Sequence, residues 1–280
     1  MKFCFLIPFR NRSTAQNWST AIDLCLSTVS SALCQTAPVK VILVCNEFPT
    51  IIDQPNNLVI VQGDFPDPAT PQAQRVDKRE KLQRGLVELR RLGDLPSYIM
   101  KLDADDLVHS DLAETALSHS NANGYFVQSG YRWDPERRWG ERRDDFLHRC
   151  GSSWMIPCDA DSLPKSMGDR WENFDLLALG HQEVADAFAQ RGKPLEPIPF
   201  PAVIARRGHG ENISQISPLA EWGTGSRPNW KWYAGRLLSS LAPARNDVKE
   251  VERVLSSFLP EPKFHAVEGY AMSERMRWQP

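Results

Sequence analysis

The sequence predicts an α/β fold with a Rossmann-like, mainly parallel central sheet flanked by helices, followed by a helical C-terminal tail. Three observations predict it. Short β-branched apolar runs alternate with stretches of helical periodicity through the first half of the chain. The intervals between runs are long enough to hold crossover helices, which parallel neighbours require. Breaker residues bound the runs, as in the three prolines of Asp64–Pro71 and the glycine Gly93.

In order, Lys2 to Pro8 reads as a buried strand. Ser13 to Gln35 places Trp18, Ile22, Cys25, Val29 and Leu33 three or four apart, which is one face of a helix. Val39 to Cys45 and Asn57 to Val61 read as strands. Leu82, Leu86 and Leu89 mark a helix over Gln74 to Leu92, stopped by Gly93. Tyr98 to Leu102 is a strand that runs into Asp103. A short helix follows from Ser110 to Ser118, then a strand from Tyr125 to Trp133. The mixed charge run Asp134 to Arg149 reads as a solvated loop. Cys150 to Pro157 reads as a strand, His181 to Arg191 as a helix, and Ile198 to Ala205 as a strand feeding Gly208-His209-Gly210-Glu211-Asn212. The division expected is a domain over 1–225 and a helical extension over 226–280, whose last helix spans Asp247 to Leu259.

Composition excludes several classes. The 280 residues are 41% hydrophobic and 24% charged, ordinary for a globular protein, with net charge −2 and pI near 6.3. No overall field draws the chain to nucleic acid. No apolar window is long enough for a membrane helix. The six cysteines lack CxxC spacing and read as reduced core thiols of a cytoplasmic protein.

Ligands of open α/β sheets sit beyond the carboxyl ends of strands. Pro8 to Arg12, Asn46-Glu47 and Asp103-Ala104-Asp105-Asp106 all fall there. Three carboxylates within four residues repel one another unless a cation offsets them, and hard oxygen ligands suit Mg²⁺ or Mn²⁺. The spacing is not that of an EF-hand. The other reading is a turn or cap after the strand. Arg10, Arg12, Lys78 and Lys81 are candidate phosphate contacts, although lysines on a helix also serve simply as its wet face. Gly208 and Gly210 permit sharp turns that let His209 reach a site formed elsewhere.

Several pieces in order resemble the GT-A glycosyltransferases, especially the large family numbered 2. Tyr98-Ile-Met-Lys-Leu-Asp-Ala-Asp-Asp-Leu-Val resembles their DxD segment. Phe5-Leu-Ile-Pro-Phe-Arg-Asn is similar to their first strand, and Asp77 to Gly85 to their helix with a basic residue near the base. His209-Gly-Glu-Asn-Ile-Ser is similar to their late metal-binding segment. The resemblance covers residues 1 to about 215. It implies a nucleotide-sugar donor, UDP- or GDP-linked, contacted by Pro8, Arg10, Arg12, Asn46, Glu47, Lys78, Lys81, Asp103 and Ala104. It also implies a metal on Asp105, Asp106 and His209, with Asp105 the direct ligand and Lys81 favoured over Lys78. Where the family often carries an aspartate after its second strand, Asn46-Glu47 stands here, which leaves the base open.

An inverting transfer needs a group to take the acceptor proton. In the family the base belongs to an acidic pair at the start of the helix before the late strand, a place held here by Gly180-His181. The candidates are therefore His181, then Glu183 and Glu172, with Asp175 as a further acid; His181 and Glu183 also suit plain helix starts. The acceptor expected is a glycan or a lipid-linked molecule. Trp230, Lys231, Trp232, Tyr233 and Arg236 suit packing of the tail onto the domain, or contact at a membrane interface. Trp133, Trp139 and Trp154 suit stacking on acceptor sugars. Two rivals stand beside this reading. A sugar nucleotidyltransferase would want a glycine-rich loop after the first strand, and Pro8 to Ser13 has no glycine. A non-catalytic binding protein on the same fold is the other.

Overall fold

The computed structural model describes residues 2–52, 54–119, 121–211, 246–259 and 265–266. The order is β1 (Phe3–Pro8), α1 (Trp18–Leu33), β2 (Val39–Cys45), β3 (Ile51–Ile52), β4 (Leu58–Gln62), α2 (Pro71–Leu92), β5 (Tyr98–Lys101), β6 (Asp106–Val108) and α3 (Leu112–His119). Next come β7 (Tyr125–Val127), β8 (Gly130–Asp134), β9 (Trp139–Arg143), β10 (Trp154–Pro157), α4 (Asp175–Ala178) and α5 (Val184–Gln190). The chain continues through β11 (Glu196–Ile198), β12 (Val203–Arg206), α6 (Val248–Val254) and β13 (His265–Ala266). The aromatic and basic residues 230–236 and Asn212 lie outside the described residues.

The central sheet has seven strands in the order β11-β7-β10-β5-β1-β2-β4. Only β10 runs against the others, so the sheet is mainly parallel, as the alternation of strands and helices predicts. Strand alternation explains why both faces are buried. Phe3, Phe5 and Ile7 of β1 pack with Ile22, Cys25 and Val29 of α1, while Cys4 and Leu6 pack with Leu82, Leu86 and Leu89 of α2. Polar elsewhere, α2 docks through those leucines, each contributing roughly 1.5–3 kcal/mol relative to exposure. Gly85 lets the helix approach, since a Cβ there would collide with Leu6. Thr70 caps its start by accepting from Ala73 N at 3.1 Å, and Gly93 ends it at φ +71°.

A second sheet, β6-β12-β8-β9, is not expected from periodicity and corrects three readings. The stretch Tyr125 to Trp133 is two strands, β7 in the large sheet and β8 in the small one. Ile198 to Ala205 likewise divides between β11 and β12, because Pro199 and Pro201 have no N–H to continue a ladder. The charge run is no simple loop: β9 forms an antiparallel hairpin with β8, turning at Arg138 with φ +48°. Cross-strand pairs explain the strand, with Arg132 opposite Glu141 and Asp134 opposite Trp139. One face of the small sheet packs Leu107, Tyr131 and Ile204 against Val251, Leu255 and Phe258 of the segment containing α6. The six cysteines are free thiols, and among the described residues no helix is long and apolar enough to cross a membrane.

Candidate active site

At the carboxyl end of β5 the chain makes a turn, closed by Asp106 N donating to Asp103 O at 3.0 Å, and enters β6. The turn projects Asp103 and Asp105 while Asp106 starts the small sheet. Carboxylate oxygens of the three acids lie within 4.8 Å of one another. They line a cleft of about 450 Å³ between β1, α2 and the segment after β12.

Each acid has a different environment. Asp103 accepts from Lys78 Nζ at 2.6 Å. Burial works to raise Asp105, but His209, Arg206 and Arg207 hold it below the ordinary carboxylate range. Asp106 is buried and accepts from Ser152 Oγ at 2.6 Å and Cys150 Sγ at 3.0 Å. Burial and the neighbouring Asp105 and Asp103 charges nevertheless push it up to about 7. Asp105 thus holds its charge while Asp106 gives way.

Arg206 fixes this turn. Only 4% exposed, it donates to Asp105 O at 2.6 Å, to Leu24 O at 2.7 Å, and to Ser27 and Thr28 hydroxyls at 2.5 and 3.0 Å. It ties the acidic turn to α1. Glu211 fixes the late segment in the same way. Buried, it pairs with Arg10 and accepts from the N–H groups of Gln16 and Asn17 at 3.2 and 2.7 Å, just ahead of α1. Between these anchors Gly208 has φ +82°, and a Cβ there would collide with the Asp134 carboxylate. The backbone so shaped brings His209 Nε2 to 3.4 Å from Asp105 Oδ2.

The residues fit a hard divalent cation. Three carboxylates converge within 4.8 Å, burial and the neighbouring acids push one of them, Asp106, up, and Nε2 of His209 is buried with no hydrogen-bond partner. Ligation by Nε2 has a condition. His209 Nδ1 accepts from Glu211 N at 3.2 Å, which puts the ring proton on Nε2, so the imidazole must exchange tautomer and give up that bond.

Of the residues singled out in the sequence, Pro8, Arg10, Lys78, Lys81, Asp103, Ala104, Asp105, Asp106 and His181 line the cleft. Lys81 is buried in an ion pair with Asp77 at 2.9 Å and also donates to Asn11, so Lys78 is the lysine at the acids. Arg12 and Glu47 are exposed and outside the lining, and Asn46 donates to Phe65 O at 2.6 Å. Glu172 and Glu183 are exposed and outside it too, and Asp175 pairs with Arg191 at 2.8 Å. His181 is half-buried; burial first, then Lys101, lowers its pKa and keeps the ring neutral.

Several cleft residues carry no signal in the sequence. Lys101 follows the strand alternation of β5 into the cleft, lies 4.6 Å from the Trp154 ring, and is pushed down to about 8 by burial and then Lys78. Arg149 and Arg207 line the cleft as well. They come from a charge run and a strand end, and chain folding alone brings them there.

The seven-stranded, mainly parallel α/β sheet, with acids at the end of a central strand, is the fold class that the sequence predicts. No protein-family model matches the chain, and no curated protein matches it. Among solved structures it is similar to 4-diphosphocytidyl-2C-methyl-D-erythritol synthase, with 12% identity, a TM-score of 0.35, and 85% of this chain and 98% of that one covered. It is also similar to S. aureus TarS, with 12% identity and a TM-score of 0.38 over 92% of this chain but only 43% of that one. Likeness at this level says nothing of chemistry, which the cleft residues themselves must supply.

Proposed function

We propose that the protein is a glycosyltransferase that moves a sugar from a nucleotide-diphosphate donor to an acceptor hydroxyl with the help of Mn²⁺ or Mg²⁺. One observation carries this reading. Three acids able to hold a cation share a cleft with Arg10, Lys78, Lys101 and Arg149, a set of cations suited to phosphate oxygens. Asp105 and Asp106 would hold the ion, with His209 after its tautomer change and Asp103 toward the ribose or the ion's water. When bound, the ion supplies charge to offset the departing diphosphate.

The chain's own groups do the rest. His181, neutral in the cleft, accepts the acceptor hydroxyl's proton as that oxygen bonds to the anomeric carbon. The bond from that carbon to the diphosphate oxygen breaks, and its electron pair leaves with the nucleoside diphosphate. Attack from the face opposite the leaving group inverts the centre. Lysine and arginine groups on the walls orient the diphosphate and exclude water from it.

The test is a thermal-shift titration of UDP and GDP with and without Mn²⁺. A ligand at about 100 times its Kd stabilises by about 2.7 kcal/mol, which is ~5–10 °C for a chain of this size. Asp105→Ala should fold yet lose the manganese-dependent part of the shift; an unchanged response in that variant would refute the assignment. Release of pyrophosphate from a sugar 1-phosphate and a nucleoside triphosphate would instead identify a nucleotidyltransferase.

A further inference from the structure

Beside the cleft lies a second cavity, of about 590 Å³, on the face of the small sheet away from α6. Arg132, Arg137, Arg207, Asp134 and Trp139 line it, and Arg207 lines the first cleft as well. Strand alternation puts Arg132 and Asp134 of β8 on one face, opposite Glu141 and Trp139 of β9.

An alternating chain of charges joins the two cavities. Arg132 lies 3.4 Å from Glu141, Glu141 lies 2.8 Å from Arg143, and Arg143 lies 3.0 Å from Asp145. Asp145 in turn lies 2.8 Å from Arg149, whose carbonyl is 3.5 Å from Arg207 Nη2. Two carboxylates serve Arg132, Arg143 and Arg149, while Asp134 pairs with Arg137 at 3.6 Å. Within the chain Arg132 is the least compensated, because its one carboxylate is shared with Arg143 at a shorter distance. Burial, then Arg207, lowers its pKa, with Arg143 and Arg149 acting in the same direction. Half-buried arginines crowded in this way are stabilised by an anion. The Arg132 guanidinium lies 5.4 Å from the Trp139 ring, so an aromatic surface borders the cationic one.

We propose that this second cavity is the acceptor site, and that the acceptor is an anionic saccharide whose phosphate or carboxylate sits at Arg132 and Arg207 with its ring beside Trp139. The assignment of the occupant as acceptor rests on the transfer reading above; the anion site itself does not. Planar guanidinium groups bind such oxyanions through paired hydrogen bonds.

Isothermal titration of the full chain with glucose 6-phosphate, glucuronate and glucose tests it, each alone and then over saturating Mn²⁺ with UDP or GDP. The expected result is binding of one or both charged sugars about tenfold or more above glucose, undiminished by nucleotide. The preferred sugar tells phosphate from carboxylate. Arg132→Gln should weaken it about tenfold, and Trp139→Ala should weaken it while leaving nucleotide binding unchanged. Equal binding of all three sugars, or displacement by nucleotide, would overturn the proposal, the latter by assigning the anion to the donor cleft. So would wild-type affinity in Arg132→Gln, or in Trp139→Ala should the arginine variant not fold. Nucleotide binding without charged-sugar binding would remove this site alone, whereas the reverse would remove the donor reading and leave the anion site.

Discussion

Replacing Arg206 by methionine keeps most of the aliphatic volume and removes the guanidinium that ties the acidic turn to α1. Four acceptors lose their donor: the carbonyls of Asp105 and Leu24 and the hydroxyls of Ser27 and Thr28. Hydrogen bonds to a charged group contribute about 1.5–3 kcal/mol each when removed singly, but four on one buried group do not add. Against the loss stands the cost of burying the charge, visible in the Arg206 pKa, which burial pushes down to about 10 although Asp105 and Asp106 raise it. Methionine removes that cost. The net expectation is a destabilisation of about 2–4 kcal/mol, or ~4–16 °C in Tm. Urea denaturation of the variant measures it, with the manganese-dependent nucleotide shift followed in parallel. Both should fall, because Asp105 loses its backbone anchor. Stability within about 0.5 kcal/mol of wild type, with the nucleotide response intact, would refute the view that Arg206 organises the site.

Two further outcomes follow from buried and bridged charges. Lys81→Met strands the buried Asp77 carboxylate and should cost about 3–5 kcal/mol by urea denaturation, while the double variant Lys81→Met, Asp77→Leu should recover most of it; equal losses in both would show that the pair does not act as one unit. Burial works to raise Asp145, yet hydrogen bonds from Arg143 and Arg149 hold it down to about 2. A depressed carboxylate adds stability that is present above its unfolded pKa, about 3.9, and is lost as pH falls toward 2. Asp145→Asn should therefore flatten the fall in Tm between about pH 4 and 2, and an unaltered slope would show that this bridge adds nothing.

The large sheet is legible in the sequence because its strands are buried on both faces, so β1, β2 and β5 read as continuous apolar runs. The small sheet is not, because one of its faces is charged. A strand spelled Trp139-Gly-Glu-Arg-Arg reads as solvated loop until its partner, which pairs Arg132 with Glu141, is known. The site divides in the same way. Asp103 to Asp106 are adjacent in sequence and their chemistry shows in their crowding. Nothing in the sequence marks Glu211 as the group that holds Arg10 and the backbone ahead of α1. Lys78 and Lys81 are one helical turn apart and alike in sequence, and only the approach of Asp77 to one and Asp103 to the other separates their roles.

That separation bears on how cation and nucleotide would cooperate. Among the lining residues seven cationic side chains face five acids, so a chain of net charge −2 gathers a positive surplus in its cleft. A metal ion arriving alone meets that surplus, and finds Asp103 already held by Lys78 at 2.6 Å. A diphosphate arriving alone would find Lys78 committed to Asp103 and the ionised Asp105 beside it. Together each would remove the other's obstacle: the acids would hold the ion in place of Lys78, whose ammonium would then pair with the diphosphate. Linkage then requires each to raise the other's affinity by the same factor. On the proposed reading Lys78 is the coupling element, so Lys78→Met should let Mn²⁺ bind without nucleotide more tightly than it does to the wild type, while diminishing the gain that nucleotide brings. Titrations of Mn²⁺ with and without UDP or GDP measure both quantities, and equal coupling in the two proteins would show that the ammonium takes no part.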